Sequence, residues 1–159
     1  MKAPDADVAV IGLGALGASA LWRLAARGVR VLGFEQFRPG HALGSSHGHT
    51  RLFRLACPEH PGLVALAQRS LALWRELAAQ AGAPLVDLSG GLVIGPPDGE
   101  LVTATLAAAR AHGLPIGALT AAQLDEAFPQ HAGVPGDHVA LWDPSAGIMR
   151  AQDAVIAAT

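Results

Sequence analysis

The 159-residue sequence predicts an α/β fold that contains parallel strands. Its first 35 residues have the pattern of a strand, a helix and a second strand, separated by tight turns. A glycine-rich turn joins the first strand to the helix, and an acidic residue follows the second strand. Because a strand–helix–strand connection places its two strands in parallel, these observations predict a βαβ unit.

Each element of this unit has its own sequence signal. Residues 7–12 (DVAVIG) form a short apolar run rich in valine and isoleucine, which is typical of a strand buried on both faces. A helix is predicted over residues 15–27, and Gly28 stands where a helix commonly ends. The second strand is predicted over residues 29–34. The apolar residues expected on or near the buried side of the helix are Leu16, Ala20, Trp22 and Leu24.

The remaining chain predicts a mixture of elements rather than further βαβ units. Residues 36–50 are rich in Gly, Pro, Ser and His and predict a loop. Two strands around residues 89–91 are expected to form a hairpin within residues 84–96, and the turn 143–147 (DPSAG) separates a strand from a helix. The other predicted strands cover residues 116–119 and 139–142, and the predicted helices cover residues 62–81, 100–112, 121–128 and 149 to the end of the chain.

Composition excludes several classes of partner. The formal net charge is −2, whereas nucleic-acid-binding proteins present a clearly basic surface. No stretch of ~20 residues is free of charges and helix breakers, so we expect no membrane span. The single cysteine allows no internal disulfide, which is typical of a reducing compartment. The sequence therefore predicts a cytoplasmic protein with small-molecule partners, without nucleic acid and without membrane.

The turn after the first strand carries the motif Gly-x-Gly-x-x-Gly at Gly12, Gly14 and Gly17, and Glu35 follows the second strand. In a dinucleotide-binding turn the first glycine permits the tight turn, the second lets the backbone approach a pyrophosphate, and the third lets helix and strand pack closely. Glu35 stands 23 residues after Gly12, where such folds place the acid that binds the adenosine ribose.

The motif predicts a phosphate-binding helix terminus. Ala15 and Leu16 open the helix, and free N–H groups at this end attract phosphate, so both are expected to contact a cofactor, as is Gln36 beside the acid. An acid after the second strand disfavours the 2′-phosphate of NADP. The motif leaves NAD and FAD open, because enzymes of both kinds use it.

A second polar segment, GSSHGHTRLFR, occupies residues 44–54. Its small hydroxyl residues and glycine can donate to a cofactor, its arginines Arg51 and Arg54 can face an anion, and its histidines titrate near neutral pH. A metal pair at His47 and His49 is disfavoured, because no third ligand stands at a known metal spacing. Two solvent-facing arginines are the alternative to a functional pair.

The chain resembles the FAD-dependent amine and amino-acid oxidase family, and within it the group of monomeric sarcosine oxidases and N-methyltryptophan oxidases. The matching segments run in family order across nearly all 159 residues, and residues 44–54 are the most specific of them. The others are DVAVIGLGALGASALWRLAARGVRVLGFEQF, LWRELAAQAG, GGLVIGP and DPSAGIM.

The resemblance implies a role for each polar residue of this segment. It places Gly44, Ser45 and Ser46 at the diphosphate and ribityl part of FAD, and Thr50 and Arg51 beside the flavin ring. His47 matches a catalytic histidine close to the flavin, and Arg54 matches the residue that holds the substrate carboxylate. His49 departs from the acid expected there, and Cys57 does not match the cysteine that carries covalent flavin.

The resemblance also implies an architecture. We expect a Rossmann-type FAD-binding domain of the glutathione-reductase-like class with an inserted α+β substrate domain, both truncated. The expected boundaries are residues 1–57 for the first part of the FAD-binding domain, 58–143 for part of the substrate domain, and 144–159 for the return to the FAD-binding domain. Because the last predicted helix has no C-cap, we expect a piece of a longer protein, inactive alone and prone to self-association through unpaired strands.

The implied activity of the complete enzyme is oxidation of the C–N bond of an N-methyl or secondary amino acid or related amine, with O2 as the final acceptor. Two alternatives stay open at this point. One is an NAD-dependent dehydrogenase, which would need further βαβ units directly after Glu35. The other is a non-catalytic, nucleotide-binding fragment.

Overall fold

The structure is a computed structural model that describes residues 5–159. The chain divides into two compact units, and both are built from separate segments. The first unit comprises Met1–Arg51, Leu73–Val86 and Met149–Thr159, and the second comprises Leu52–Ala72 and Asp87–Ile148.

The first unit contains the predicted βαβ arrangement. Strand β1 (Val8–Ile11) leads into helix α1 (Ala15–Ala25), and β2 (Val31–Phe34) follows. Strands β1 and β2 are parallel, with Val8 opposite Val31. Gly28 has a φ of +76°, a left-handed conformation that glycine adopts without strain, so it ends the helical segment as predicted.

Three helical segments form the core of this unit. Ala18 of α1 is buried together with Leu77 from the second half of α2 (Leu63–Ala81) and with Val155 from α5 (Ala151–Ala157). Trp22 and Trp74 are partly buried and pack against this cluster, which agrees with the predicted place of Trp22 near the buried side of α1. The small alanine side chain suits a position where helices approach closely.

The predicted burial of the βαβ unit is wrong in two respects. Leu16 is 89% exposed and Ala20 is exposed, because the buried side of α1 is centred on Ala18 instead. Strand β1 alternates between half-buried and exposed residues, and Ile11 is 80% exposed. Within residues 5–159 the sheet of this unit contains only β1 and β2, so one parallel neighbour covers each strand.

The second unit is built on an antiparallel sheet. Its strand order is β5 (Gly91–Gly95), β7 (Val139–Asp143) and β6 (Gly117–Thr120), and Val93 stands opposite Leu141. Helix α3 (Glu100–His112) packs against β5 and buries Val102. The other elements of this unit are α4 (Ala121–Ala127), with a Thr120–Gln123 capping box, and the 3-10 helix Pro129–His131.

Several predicted boundaries need correction in the short strands. Strands β3 (Arg51–Phe53) and β8 (Gly147–Met149) were not expected, because three-residue strands carry too little periodicity to predict. Strand β4 (Val86–Asp87) and β5 form no hairpin with each other, since they belong to different sheets. The final helix begins at Ala151 rather than residue 149, and it ends at Ala157.

Candidate cofactor site

The turn between β1 and α1 requires glycine for two different reasons. Gly12 has a φ of +85°, which strains any residue that carries a Cβ. A Cβ at Gly17 would lie 1.8 Å from the carbonyl oxygen of Gly12, so the helix can approach the turn only without a side chain there. Gly14 precedes the helix in an extended conformation and supplies no side-chain cap. The first turn of α1 therefore takes its partners from elsewhere in the chain.

One partner comes from the second polar segment. The Oγ atom of Ser46 accepts a hydrogen bond of 2.9 Å from the backbone N–H of Ala15, across 31 residues of sequence. A Cβ at Gly14 would lie 3.3 Å from the same Oγ atom, so the absence of a side chain lets the two segments meet. This contact places residues 44–46 at the positive end of the α1 dipole.

Two cavities lie beside this contact, within the first unit. The smaller has a volume of about 170 Å³, and the larger has a volume of about 290 Å³. The smaller is lined by Leu13, Gly14, Gly40, His41, Gly44, Ser45, Ser46 and Val155. The larger is lined by Ala15, Ser45, Ser46, Arg51, Trp74, Met149, Ala151, Ala154 and Val155. Both cavities therefore face the serine pair and the start of α1.

The Glu35 carboxylate is tied to the glycine-rich turn. Its Oε2 atom accepts a 2.8 Å hydrogen bond from the backbone N–H of Leu13, and its Oε1 atom accepts a 3.2 Å bond from Phe37. These two backbone donors lower the pKa of Glu35 below its ordinary value, and nearby His41 adds a smaller effect in the same direction. The acid is therefore ionised at neutral pH and holds the turn through these two backbone donors.

The Glu35 tether predicts a pH-dependent stability. Because the folded pKa lies below the ordinary value of 4.5, the carboxylate stabilises the fold fully above that value and loses its contribution as the pH falls through the lowered one. Glu35→Gln is therefore expected to melt at a lower temperature than wild type at neutral pH. Thermal melts should show this gap closing in acid, whereas the exposed control Glu126→Gln should show no gap. A gap that persists unchanged into strong acid would contradict the assignment.

Arg51 closes the loop that carries the serine pair. Its guanidinium donates 2.8 Å hydrogen bonds to the carbonyl oxygens of Thr50 and Ser45. The left-handed conformation of Gly48, with a φ of +93°, lets the loop turn between these two carbonyls. Because these partners are neutral carbonyls, the positive charge of Arg51 remains available to an anion.

His47 is fixed by the same loop. Its Nδ1 atom lies 2.7 Å from the carbonyl oxygen of Gly44, a contact that requires a proton on Nδ1. In the neutral ring the Nε2 atom then carries the lone pair and can accept a proton. His47, His49 and Thr50 all lie in exposed positions, as do Leu16 and Gln36 of the predicted cofactor set.

Arg54 lies in the second unit, whereas Arg51 lies in the first. Its guanidinium forms an ion pair with Glu59. The side chain also borders a mainly apolar cavity of about 210 Å³, whose lining includes Asp143.

Cys57, three residues after Arg54, is half-buried. Burial raises the pKa of its thiol, and the negative charge of Glu59 adds to this effect. A thiol that keeps its proton is a poor nucleophile.

Sequence reasoning missed one member of the site. His41 lines the smaller cavity, and its Nε2 atom lies 3.4 Å from the Oε1 atom of Glu35. A usable signal was its position, because His41 stands between the acid and the serine pair in the loop that joins two predicted binding segments.

Within residues 5–159 no group of three or more His, Cys, Asp or Glu side chains could hold a metal ion. None of the helices in this range combines the length and the apolar character that a membrane crossing would need.

The site has the features that a dinucleotide needs. The glycines of the turn leave room for close backbone approach, and the start of α1 and the Ser45–Ser46 pair face one pair of cavities. Arg51 supplies a positive charge at the larger cavity, and Glu35 supplies a carboxylate near the turn. Phosphates are attracted by such a helix terminus, and ribose hydroxyls are bound by such an acid.

Known proteins resemble the chain over nearly its whole length. The family model described as FAD dependent oxidoreductase matches residues 7–159. Monomeric sarcosine oxidase of Streptomyces avermitilis is 41% identical over 154 residues, which is 97% of this chain and 40% of that protein. N-methyl-L-tryptophan oxidase of Yersinia pestis is 34% identical over 151 residues, which is 95% of this chain and 40% of that protein. The chain thus spans about 40% of the length of the curated relatives it matches.

Solved structures agree with these relatives. NikD, an unusual amino acid oxidase essential for nikkomycin biosynthesis, superposes with a TM-score of 0.78 at 26% identity, over 96% of this chain and 39% of that one. Glycine oxidase from Bacillus cereus gives a TM-score of 0.77 at 25% identity, over 96% of this chain and 42% of that one. The fold is therefore α/β with a Rossmann-type arrangement, and the matching family model gives FAD, not NAD, as the cofactor. On this evidence, the chain belongs to the family of FAD-dependent oxidoreductases.

Proposed function

We propose that this chain is the N-terminal part of a flavin oxidase that oxidises the C–N bond of an N-methyl or secondary amino acid. The observation that carries the proposal is the 2.9 Å hydrogen bond between Ser46 and Ala15. It joins the segment most specific to sarcosine-type oxidases to the phosphate-binding turn that many dinucleotide enzymes share. The sarcosine and N-methyltryptophan oxidases among the relatives support the same substrate class.

The first unit contains residues that could bind the diphosphate and the adenosine ribose of FAD. The turn from Gly12 to Gly17 and the serine pair Ser45–Ser46 would bind the diphosphate, and Glu35 would accept a ribose hydroxyl. Ala15, Leu16, Gln36, Gly44 and Thr50 complete the proposed cofactor contacts. When bound, FAD would supply the redox chemistry of the reaction, a two-electron oxidation of the amine to an imine that is coupled to reduction of O2 to H2O2.

Arg51 and His47 are the proposed catalytic residues of this unit. Arg51 carries a positive charge that its carbonyl partners do not neutralise, and such a charge stabilises negative charge that develops during a reaction. His47 presents a free Nε2 atom when its Nδ1 proton is held by Gly44, so it can move a proton.

Arg54 would bind the substrate carboxylate. A guanidinium donates two parallel hydrogen bonds to a planar carboxylate, and in the structure Arg54 already pairs with the carboxylate of Glu59. Glu59 therefore occupies the guanidinium that the substrate carboxylate would need. We infer that substrate binding exchanges one carboxylate for the other.

The domain assignment is part of the same proposal. Residues 1–57 would form the first part of the FAD-binding domain, residues 58–143 part of the substrate domain, and residues 144–159 the return. The single cysteine supports a cytoplasmic location. Self-association of the isolated 159 residues is supported by the exposed apolar side chains of β1 and β2, which are Ile11, Leu32 and Phe34.

A peroxide assay tests the proposed reaction. The complete protein that carries this chain, loaded with FAD, is expected to release one H2O2 for each N-methyl amino acid consumed, while the N-demethylated control reacts more slowly. Substrate-dependent reduction of added NAD without peroxide would contradict the proposal. FAD binding without turnover of any amino acid or amine would instead support the non-catalytic alternative.

A further inference from the structure

His41 lies between the two parts of the cofactor site. Its imidazole borders the smaller cavity together with Gly44 and Ser46, and its Nε2 atom faces the carboxylate of Glu35 at 3.4 Å. Only 18% of the His41 side chain and 9% of the Glu35 side chain are exposed. The pair is sheltered and its His41 member borders the cavity, so it is more than a surface contact.

The hydrogen bonds of the ring fix its tautomer. The backbone N–H of Leu43 donates to the Nδ1 atom of His41 over 3.0 Å, so Nδ1 carries a lone pair and the proton resides on Nε2. The Phe37 ring packs edge-on against the imidazole with centroids 5.0 Å apart. The Nε2 atom of His41 therefore faces Glu35, and contacts on the other sides of the ring hold it there.

The hydrogen-bond acceptor positions of Glu35 show how the contact with His41 could orient the carboxylate. A carboxylate offers about four lone-pair positions. Leu13 occupies one on Oε2, and Phe37 and His41 face Oε1, which leaves the free capacity mainly on Oε2. The 3.4 Å separation exceeds an ideal hydrogen bond, so the His41 contact has room to shorten when a ligand engages the carboxylate.

We propose that His41 is a positioning residue for the adenosine end of the cofactor, which orients the Glu35 carboxylate so that its Oε2 atom meets a ribose hydroxyl. This inference rests on the proposed binding of FAD and adds a residue and a role to it. His41 acts through Glu35, so the two residues should behave as one unit when either is replaced.

Variants of His41 separate the contact of its Nε2 atom with Glu35 from the packing of its ring. His41→Phe keeps a ring against Phe37 but removes both nitrogens, and His41→Gln keeps an N–H donor near the position of Nε2. We expect His41→Phe to weaken FAD binding by about tenfold, the loss typical of a hydrogen bond to a charged group, and His41→Gln to restore most of the affinity. Flavin fluorescence quenching of the complete apoprotein measures the Kd, and circular dichroism confirms that each variant is folded.

Two comparisons distinguish positioning from general structural support. In a Glu35→Ala background, His41→Phe should change the Kd for FAD little, and in the wild-type background it should leave FMN binding unchanged, because FMN lacks the adenosine ribose. Equal losses for FAD and FMN, or additive losses in the double variant, would overturn the proposal. Wild-type protein that binds no FAD would overturn both this inference and the proposed function, whereas normal FAD binding by His41→Phe would overturn this inference alone.

Discussion

Gly17→Ala is expected to abolish FAD binding and to destabilise the first unit. The added Cβ would stand 1.8 Å from the carbonyl oxygen of Gly12 and 3.4 Å from a methyl carbon of Val10. Alanine in a helix gains up to ~1 kcal/mol over glycine, but overpacking costs about 1–3 kcal/mol or more, and a clash with backbone cannot be relieved by a rotamer change. We expect the Kd for FAD, measured by fluorescence quenching of the complete apoprotein, to rise by more than about 100-fold.

Two other glycines provide comparisons, Gly136 as a neutral control and Gly14 as a site with a milder contact. At Gly136 a Cβ would meet nothing within 4 Å, so Gly136→Ala should leave melting temperature and FAD affinity unchanged. At Gly14 the nearest atom is the Ser46 hydroxyl oxygen at 3.3 Å, so Gly14→Ala should retain the fold but weaken FAD binding. Normal FAD affinity in Gly17→Ala would contradict the structure of the turn.

Arg54→Met is expected to raise the KM for an N-methyl amino acid by about 10- to 100-fold, because a charge-assisted pair to the substrate carboxylate is lost. The visible spectrum of bound FAD should stay unchanged, since Arg54 belongs to the second unit, whereas every residue proposed to hold the cofactor belongs to the first. Steady-state kinetics of the complete enzyme, with and without a carboxylate on the amine substrate, measure the effect.

The substrate comparison decides the role of Arg54. An amine without a carboxylate should be turned over equally before and after the substitution, and Arg69→Met, at an exposed position on α2, should behave as wild type. Glu59→Gln should lower the KM, because it removes the carboxylate that pairs with Arg54 in the structure. A large loss for both substrates would indicate a structural role for Arg54 instead.

The sequence predicted the elements whose signals are local. The βαβ unit follows from an apolar run, a glycine turn and a helix stop at Gly28, and the end of α3 follows from Gly113, which is left-handed in the structure with a φ of +63°. Such features depend on a few neighbouring residues, so no tertiary context is needed to predict them.

The missed features depend on tertiary contacts. The pairing of β5 with β7 instead of β4 joins residues about fifty positions apart, which alternating hydrophobicity cannot reveal. Leu16 is exposed because the neighbours of α1 cover the side of the helix that carries Ala18. Periodicity alone does not predict which side of the helix those neighbours cover. His41 and Glu59, the partner of Arg54, were missed because their roles depend on which side chains they face, and loop conformation decides that.

Hydrogen–deuterium exchange with and without FAD tests the central claim, that one site in the first unit holds the cofactor. In the complete apoprotein, addition of FAD is predicted to slow exchange in peptides that cover residues 12–17, 35–37 and 44–51. Peptides that cover residues 117–139 of the second unit should exchange at the same rate in both states. Slowing confined to the second unit, with residues 12–17 unaffected, would contradict the account.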